Sequence, residues 1–260
     1  MFQLGKVLTN RGVRNLSNLR TNPLFLSLML ILYQYSFSQI EQSTDVYNNL
    51  YDQVIEIENT PLFNGLGYVE KYKVINEYHK FFKSSEFLPA TIVYKGQYYP
   101  NIEMKYDLYE DVVLLTHKKG MRIVLLQPIK ARIDSFVIDG HNFRNINDTA
   151  AETLGMTGFY EVLFDAPGFQ LLEKHHKRRF ERKGKNTVYS EFKQRNKMIL
   201  FYNGSYHEIK TRISLTKLFP EYKSEIQDFS YSRFPKENRS EYLKIVCQKI
   251  NELISNTKIQ

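Results

Sequence analysis

The chain has no tryptophan, one cysteine, and no acidic residue among its first thirty-eight positions. Cys247 alone cannot close a disulfide within the chain, and it excludes zinc or iron–sulfur sites built from several cysteines. Twelve glycines and eight prolines in 260 residues exclude a collagen-like or proline-rich fibre. No apolar run reaches the ~20 residues that a membrane-spanning helix needs. Three recurring enzyme signatures are missing as well: the Gly-x-Ser-x-Gly nucleophile turn, the Gly-x-Gly-x-x-Gly phosphate loop and the His-Glu-x-x-His pair. What remains, with 42% hydrophobic and 25% charged residues, has the balance of a globular domain.

The acid-free amino terminus carries Lys6, Arg11, Arg14 and Arg20, then an apolar run from Pro23 to Tyr33, then Ser36-Phe37-Ser38. A basic region, an apolar segment of ~7–15 residues and small residues two apart predict a cleaved secretory signal. Residues 1–38 are read as that signal, with cleavage after Ser38. Two alternatives stay open: an uncleaved anchor, and a mitochondrial transit peptide suggested by the Arg- and Ser-bearing, acid-free leader. The compact apolar run favours export, to the periplasm or the outer membrane, with no transmembrane span in the mature chain.

From residue 90 onward the dominant period is two. Ile102, Met104 and Tyr106 share one face, while Asn101, Glu103 and Lys105 share the other, as a half-buried antiparallel strand requires. Runs at 111–116 and 122–126 flank Lys118-Lys119-Gly120 and predict a hairpin covered on both faces. Lys95-Gly96, Asp139-Gly140 and Asn203-Gly204 mark further hairpins, the last two suiting type I′ turns. Further strands are predicted at 159–164, 171–180 and 198–202. With no helical segment between them, these strands predict a mainly β fold, an antiparallel meander in the form of a sandwich or an open half-barrel. Nineteen tyrosines and eighteen phenylalanines suit broad sheet faces.

The last fifty residues change period and predict a C-terminal helical appendage over 211–260, packed on the β domain of 90–210. Asn238 and Glu241 resemble a capping box, and Tyr242, Leu243, Val246, Ile250, Leu253 and Ile254 form an apolar stripe at helical spacing. Shorter helices are expected at 213–219 and, opened by Pro220, at 221–229. Residues 39–89 give no decided structure.

Val93-Tyr94-Lys95-Gly96-Gln97-Tyr98, followed by Asn101-Ile102-Glu103-Met104-Lys105-Tyr106-Asp107-Leu108-Tyr109, resembles a group of uncharacterised secreted proteins of Bacteroidota. The segments 136–143 and 158–164, and the helices after Tyr202-Asn203-Gly204-Ser205-Tyr206, are similar to that group in order and spacing. The resemblance spans roughly residues 90–255. It implies a cell-envelope location and carries over no active-site residue.

Candidate chemistry is sparse. His175 and His176 are adjacent, so on a strand they face opposite ways, and a metal shared between them would need a bend or a second chain. They are read as solvated, and no metal or other cofactor is expected. Asp107, Glu110 and Asp111 lie between two predicted strands, where carboxylates are ordinary solvated turn residues. Cys247 is read as a small buried apolar residue of the last helix.

The densest feature is residues 174–185, where Lys174, Lys177, Arg178, Arg179, Arg182, Lys183 and Lys185 accompany a single acid, Glu181. Such a block can meet an anionic envelope surface or an acidic protein partner; export sets nucleic acid aside. Solvated charge guarding a sheet edge is the plainer alternative, with Phe180 expected to point inward. The formal +8 resolves along the chain: without the leader, 32 basic residues face 28 acidic ones, and without 174–185 as well, 25 face 27. The expected protein is an exported binding or assembly component of a bacterial envelope. A binder of anionic lipid or glycan headgroups through 174–185 and a secreted hydrolase or isomerase are the alternatives.

Overall fold

A computed structural model describes residues 59–75, 77–119, 122–228 and 239–257. The leader, its cleavage after Ser38, Gly120, Phe229 and the capping residue Asn238 lie outside the described residues. After a 3-10 turn at Pro61–Phe63 come β1 (Leu66–Gly67), β2 (Leu88–Tyr94), β3 (Gln97–Asp107), β4 (Val112–Lys119) and β5 (Arg122–Gln127). Next are β6 (Ile133–Ile138), β7 (His141–Ile146), the helix α1 (Thr149–Thr153), β8 (Gly158–Ala166) and β9 (Phe169–Lys174). The chain continues through β10 (Lys177–Lys183), β11 (Val188–Gln194), β12 (Lys197–Tyr202) and β13 (Ser205–Glu208). It ends in α2 (Arg212–Leu218), α3 (Lys223–Asp228) and α4 (Arg239–Thr257).

Eleven strands form one open antiparallel sheet in the order β1-β5-β4-β3-β2-β6-β7-β8-β9-β12-β13, while β10 and β11 pair only with each other. The expected meander is therefore present. Its turns follow from backbone chemistry: Lys95-Gly96, Asp139-Gly140 and Asn203-Gly204 all have positive φ at both residues, the requirement of a type I′ turn.

The sheet curls strongly. Tyr106 on β3 and Phe159 on β8 have ring centroids 5.8 Å apart, although β2, β6 and β7 lie between them in the sheet. Four strand spacings of ~4.8 Å would separate them by ~19 Å on a flat sheet. Curling brings Tyr106, Phe136, Phe143 and Phe159 together around Phe82 as an aromatic core. The sheet does not close, and β1 and β13 remain its edges.

Register defines the inner face. Directly paired residues Tyr99, Ile92, Phe136, Phe143, Glu161, Glu173 and Met198 form one row across β3, β2, β6, β7, β8, β9 and β12. On the β9–β12 side, Leu171 and Leu200 bury against Leu215, Phe219, Ile226 and the α4 residues Tyr242, Leu243, Val246, Cys247 and Ile250. This is the predicted helical appendage, seated by its predicted stripe. Arg239 fastens the start of α4 by donating to the carbonyls of Ile209 (2.8 Å) and Lys210 (2.6 Å).

Three details differ from expectation. A short helix, α1, interrupts the strands, capped where the Asp148 carboxylate accepts from the Ala151 amide; five residues leave too little periodicity to read. The run 171–180 is two strands, because the chain leaves the main sheet at His175-His176, where Lys177 donates its amide to the Leu108 carbonyl instead. Residues 59–82, undecided from sequence, contribute β1 and a strap that buries Leu62 and Phe82 in the core.

Candidate functional site

The basic segment does not form one patch. Lys174 is turned into the protein, where its ammonium pairs with Asp111 (2.7 Å) and donates to the Phe159 carbonyl (3.0 Å). Lys177 donates to the carbonyls of His79 (2.7 Å) and Phe81 (2.9 Å), and burial pushes its pKa down to about 8. Arg179 lies over the Tyr72 ring, donates to Ser190 Oγ at 2.9 Å and pairs with Glu181. Lys177 and Arg179 anchor the β10–β11 hairpin, whereas Lys174, the last residue of β9, ties the main sheet.

The opposite face of the hairpin is different. Strand alternation places Arg178, Phe180 and Arg182 together, and register adds Tyr189, Glu191 and Lys193 from β11. Phe180 therefore does not fix the strand from within, as expected from sequence. It is ringed by Arg178, Arg182 and Lys193 at 5.5, 5.8 and 5.8 Å from its centroid. Phe192 is the inward aromatic, packed between Tyr72 (5.7 Å) and Tyr109 (5.2 Å). Arg182 pairs with Glu191 at 2.9 Å. Arg178, Lys183 and Lys185 are exposed, and no carboxylate among the described residues pairs with them.

Of the β3–β4 turn carboxylates, Glu110 stays partly exposed in a surface pair with Lys71 (3.1 Å), whereas Asp107 and Asp111, contrary to expectation, are not solvated. Asp107 is fully buried against Lys80 (2.8 Å) and accepts from the amides of Tyr109 and Glu110. Burial raises the Asp107 pKa even though these partners oppose it. Lys80 also pairs with Glu70 (3.0 Å), donates to Tyr68 Oη, and lies near the rings of Tyr68, Tyr72 and Phe81. Asp111 accepts from Tyr106 Oη (2.6 Å) and pairs with Lys130 (2.5 Å) and Lys174. Burial alone would raise Asp111, but the two ammonium groups outweigh it and hold the carboxyl below its usual range.

A second constellation lies where the apolar row across the sheet is interrupted. Glu161 and Glu173 are direct cross-strand partners on β8 and β9, and both are buried. Glu161 lies 2.6 Å from His141 Nδ1 and 2.6 Å from His175 Nε2; Glu173 is 4.0 Å from that same Nε2. Burial works to raise the Glu161 pKa, but the hydrogen bonds from both imidazoles hold it below the usual range. Asn196 donates to Glu173 Oε1 (2.7 Å) and to His175 Nδ1 (3.1 Å), which leaves the His175 proton on Nε2, facing Glu161. Ser240, in the first turn of α4, donates to Glu173 Oε2 at 2.8 Å. Phe82 packs edge-on against both imidazoles, each centroid 5.2 Å away.

This arrangement corrects the reading of His175 as solvated: it is 7% exposed, while its neighbour His176 faces outward as alternation requires. From sequence, His175 was weighed only beside His176 and read as solvated, whereas its polar partners are Glu161 of β8, Glu173 of β9 and Asn196. An open groove of about 420 Å³ lies elsewhere on the sheet and brings in one carboxylate, Glu103, among otherwise neutral side chains. No helix among the described residues is long and apolar enough to cross a membrane. No protein-family model, no curated protein and no solved structure matches the chain.

Proposed function

We propose that the protein is an exported binding or assembly component of a bacterial envelope, rather than an enzyme. Its contact with an anionic surface is made by the outer face of β10–β11. The observation that carries this reading is the division of the hairpin's charge. Lys177 and Arg179 are committed inward, as is Lys174 on the preceding β9; Arg178, Arg182 and Lys193 share the outer face around Phe180, and Lys183 and Lys185 are exposed where β10 ends. An arginine-flanked aromatic on a surface strand suits phosphate-bearing headgroups: the guanidinium groups grip phosphate oxygens and the ring lies at the interface. The basic leader supports export, and the near-neutral remainder of the chain confines attraction to this segment.

Vesicle sedimentation tests the contact. The chain from Gln39 should bind vesicles rich in phosphatidylglycerol, should ignore phosphatidylcholine vesicles, and should be released as salt screens the contact. Replacing Arg178, Arg182, Lys183 and Lys185 together with Ser should reduce binding at least tenfold at 0.1 M salt, each cation near such a surface contributing ~1 kcal/mol. Undiminished binding by that variant would refute the reading. Fractionation of the native cell should place the protein with the envelope, and recovery from the cytosol would refute export.

A further inference from the structure

We infer that Glu161, Glu173 and His175 form a binding centre for a first-row divalent transition metal of the zinc type, with His141 holding Glu161 from outside the donor set. The primary observation is the row across the sheet. Between Phe143 on β7 and Met198 on β12, its only polar members are two carboxylates directly opposite each other on β8 and β9. Like charges in that position repel, and burial strengthens the repulsion. Other buried carboxylates of this protein face lysine: Asp107 faces Lys80, and Asp111 faces Lys130 and Lys174. Glu161 and Glu173 have no such partner among the described residues; the only groups paired with them that can carry positive charge are the two imidazoles.

The donor set has the chemistry of a metal site. One atom each from Glu161, Glu173 and His175 lies within 4.8 Å of the others, giving one nitrogen and two oxygens, while His141 Nδ1 lies against Glu161 Oε1 at 2.6 Å outside that trio. Imidazole and carboxylate together suit zinc and its divalent neighbours, at bond lengths of ~2.0–2.2 Å. A tetrahedral ion with such bonds separates its donors by ~3.4 Å. Within the trio, His175 Nε2 lies 2.6 Å from Glu161 Oε2 and 4.0 Å from Glu173 Oε2, spacings that bracket that value. With the ion on Nε2, the His175 proton would move to Nδ1 and the Asn196 amide would turn so that its Oδ1 accepts it, Glu173 keeping its hydrogen bond from Ser240.

The surroundings are those of a metal-ligand shell. Asn196 holds both Glu173 and His175, Ser240 holds the second Glu173 oxygen, and Phe82 fixes both imidazole planes. Three buried protein donors leave a fourth coordination position for a water or another small ligand. The centre would join β8 and the end of β9 and, through Ser240, the start of α4.

The test uses the untagged chain from Gln39, stripped of metal by chelation. Titration with Zn²⁺ should give one ion per chain and raise the melting temperature. Co²⁺ should give the visible absorption of a four-coordinate ion, displaced by one equivalent of Zn²⁺. Glu173→Gln and His175→Gln should each weaken binding at least a hundredfold, and Asn196→Ala ten- to a hundredfold. His176→Ala, on the exposed neighbour, should leave binding unchanged. Metal-free Glu173→Gln should keep the far-ultraviolet circular dichroism of the metal-free parent and its hydrogen-exchange protection across β3 and β4; this separates lost binding from lost folding. Absence of stoichiometric binding by the parent, or equal binding by Glu173→Gln and His175→Gln, would overturn the assignment.

Discussion

Asp111 shows how single residues hold this fold together. Its carboxylate takes a hydrogen bond from Tyr106 of the aromatic core and two ammonium groups from distant parts of the chain. Asp111→Asn keeps the shape and removes the charge, leaving Lys174 buried without a counter-ion, so a loss of about 3–5 kcal/mol is expected. The pH dependence has a definite sign. Because the folded-state pKa is depressed, the stabilisation is fully present above the unfolded value of ~3.9 and is lost as pH falls through the folded value. Urea midpoints of parent and Asp111→Asn should therefore differ most near neutral pH and converge below about pH 4. A difference that does not begin to narrow as pH falls below about 4 would show that the carboxylate's charge is not what stabilises the fold.

At the scale of elements, β8 begins under a constraint that no hairpin turn shares. Gly158 has φ +123°, and a Cβ there would lie 2.1 Å from Asp111 Oδ2 and 2.7 Å from Lys174 Nζ. Gly140, in the β6–β7 turn, has φ +77° and nothing within 4 Å of such a Cβ. Gly140→Ala should therefore cost only backbone strain, about 1 kcal/mol, whereas Gly158→Ala must also disrupt a buried ion pair and should cost about 3 kcal/mol or more. Equal losses in urea unfolding would contradict this. The contrast shows what a sequence can disclose. The hairpins at Asp139-Gly140 and Asn203-Gly204 were legible because turn chemistry is local, and the stripe of α4 because its period is local too. Gly158 was not, since the atoms that crowd it come from residues 111 and 174. The same holds for His141, Glu161, Glu173 and His175, which only the register of three strands brings together. A faint signal did exist: in Phe159-x-Glu161 and Leu171-x-Glu173-x-His175 the polar residues occupy the alternation of the apolar face.

At the largest scale, the described residues from 59 onward form a curled sheet with an added hairpin that depends on it. A lone two-stranded hairpin is marginal in water, so β10–β11 must draw its order from the strap formed by residues 72–75 and 77–81. The amides of Ser190 and Phe192 donate to the carbonyls of Lys73 (2.8 Å) and Tyr78 (2.9 Å). Lys177 donates to two strap carbonyls, and Arg179 covers Tyr72. Phe192, 2% exposed, supplies the apolar anchor. Truncating it in Phe192→Ala should cost about 3–5 kcal/mol, but only for the contacts that dock the hairpin. Hydrogen exchange should then quicken across 177–194, and trypsin should cut first among Arg178, Arg179, Arg182 and Lys183, while the amides of β8 and β9 keep their protection. Uniformly faster exchange throughout the sheet would mean instead that hairpin and sheet unfold as one cooperative unit. The proposed anionic contact depends on which result holds, because Arg178, Phe180 and Arg182 share a face only while β10 remains a strand.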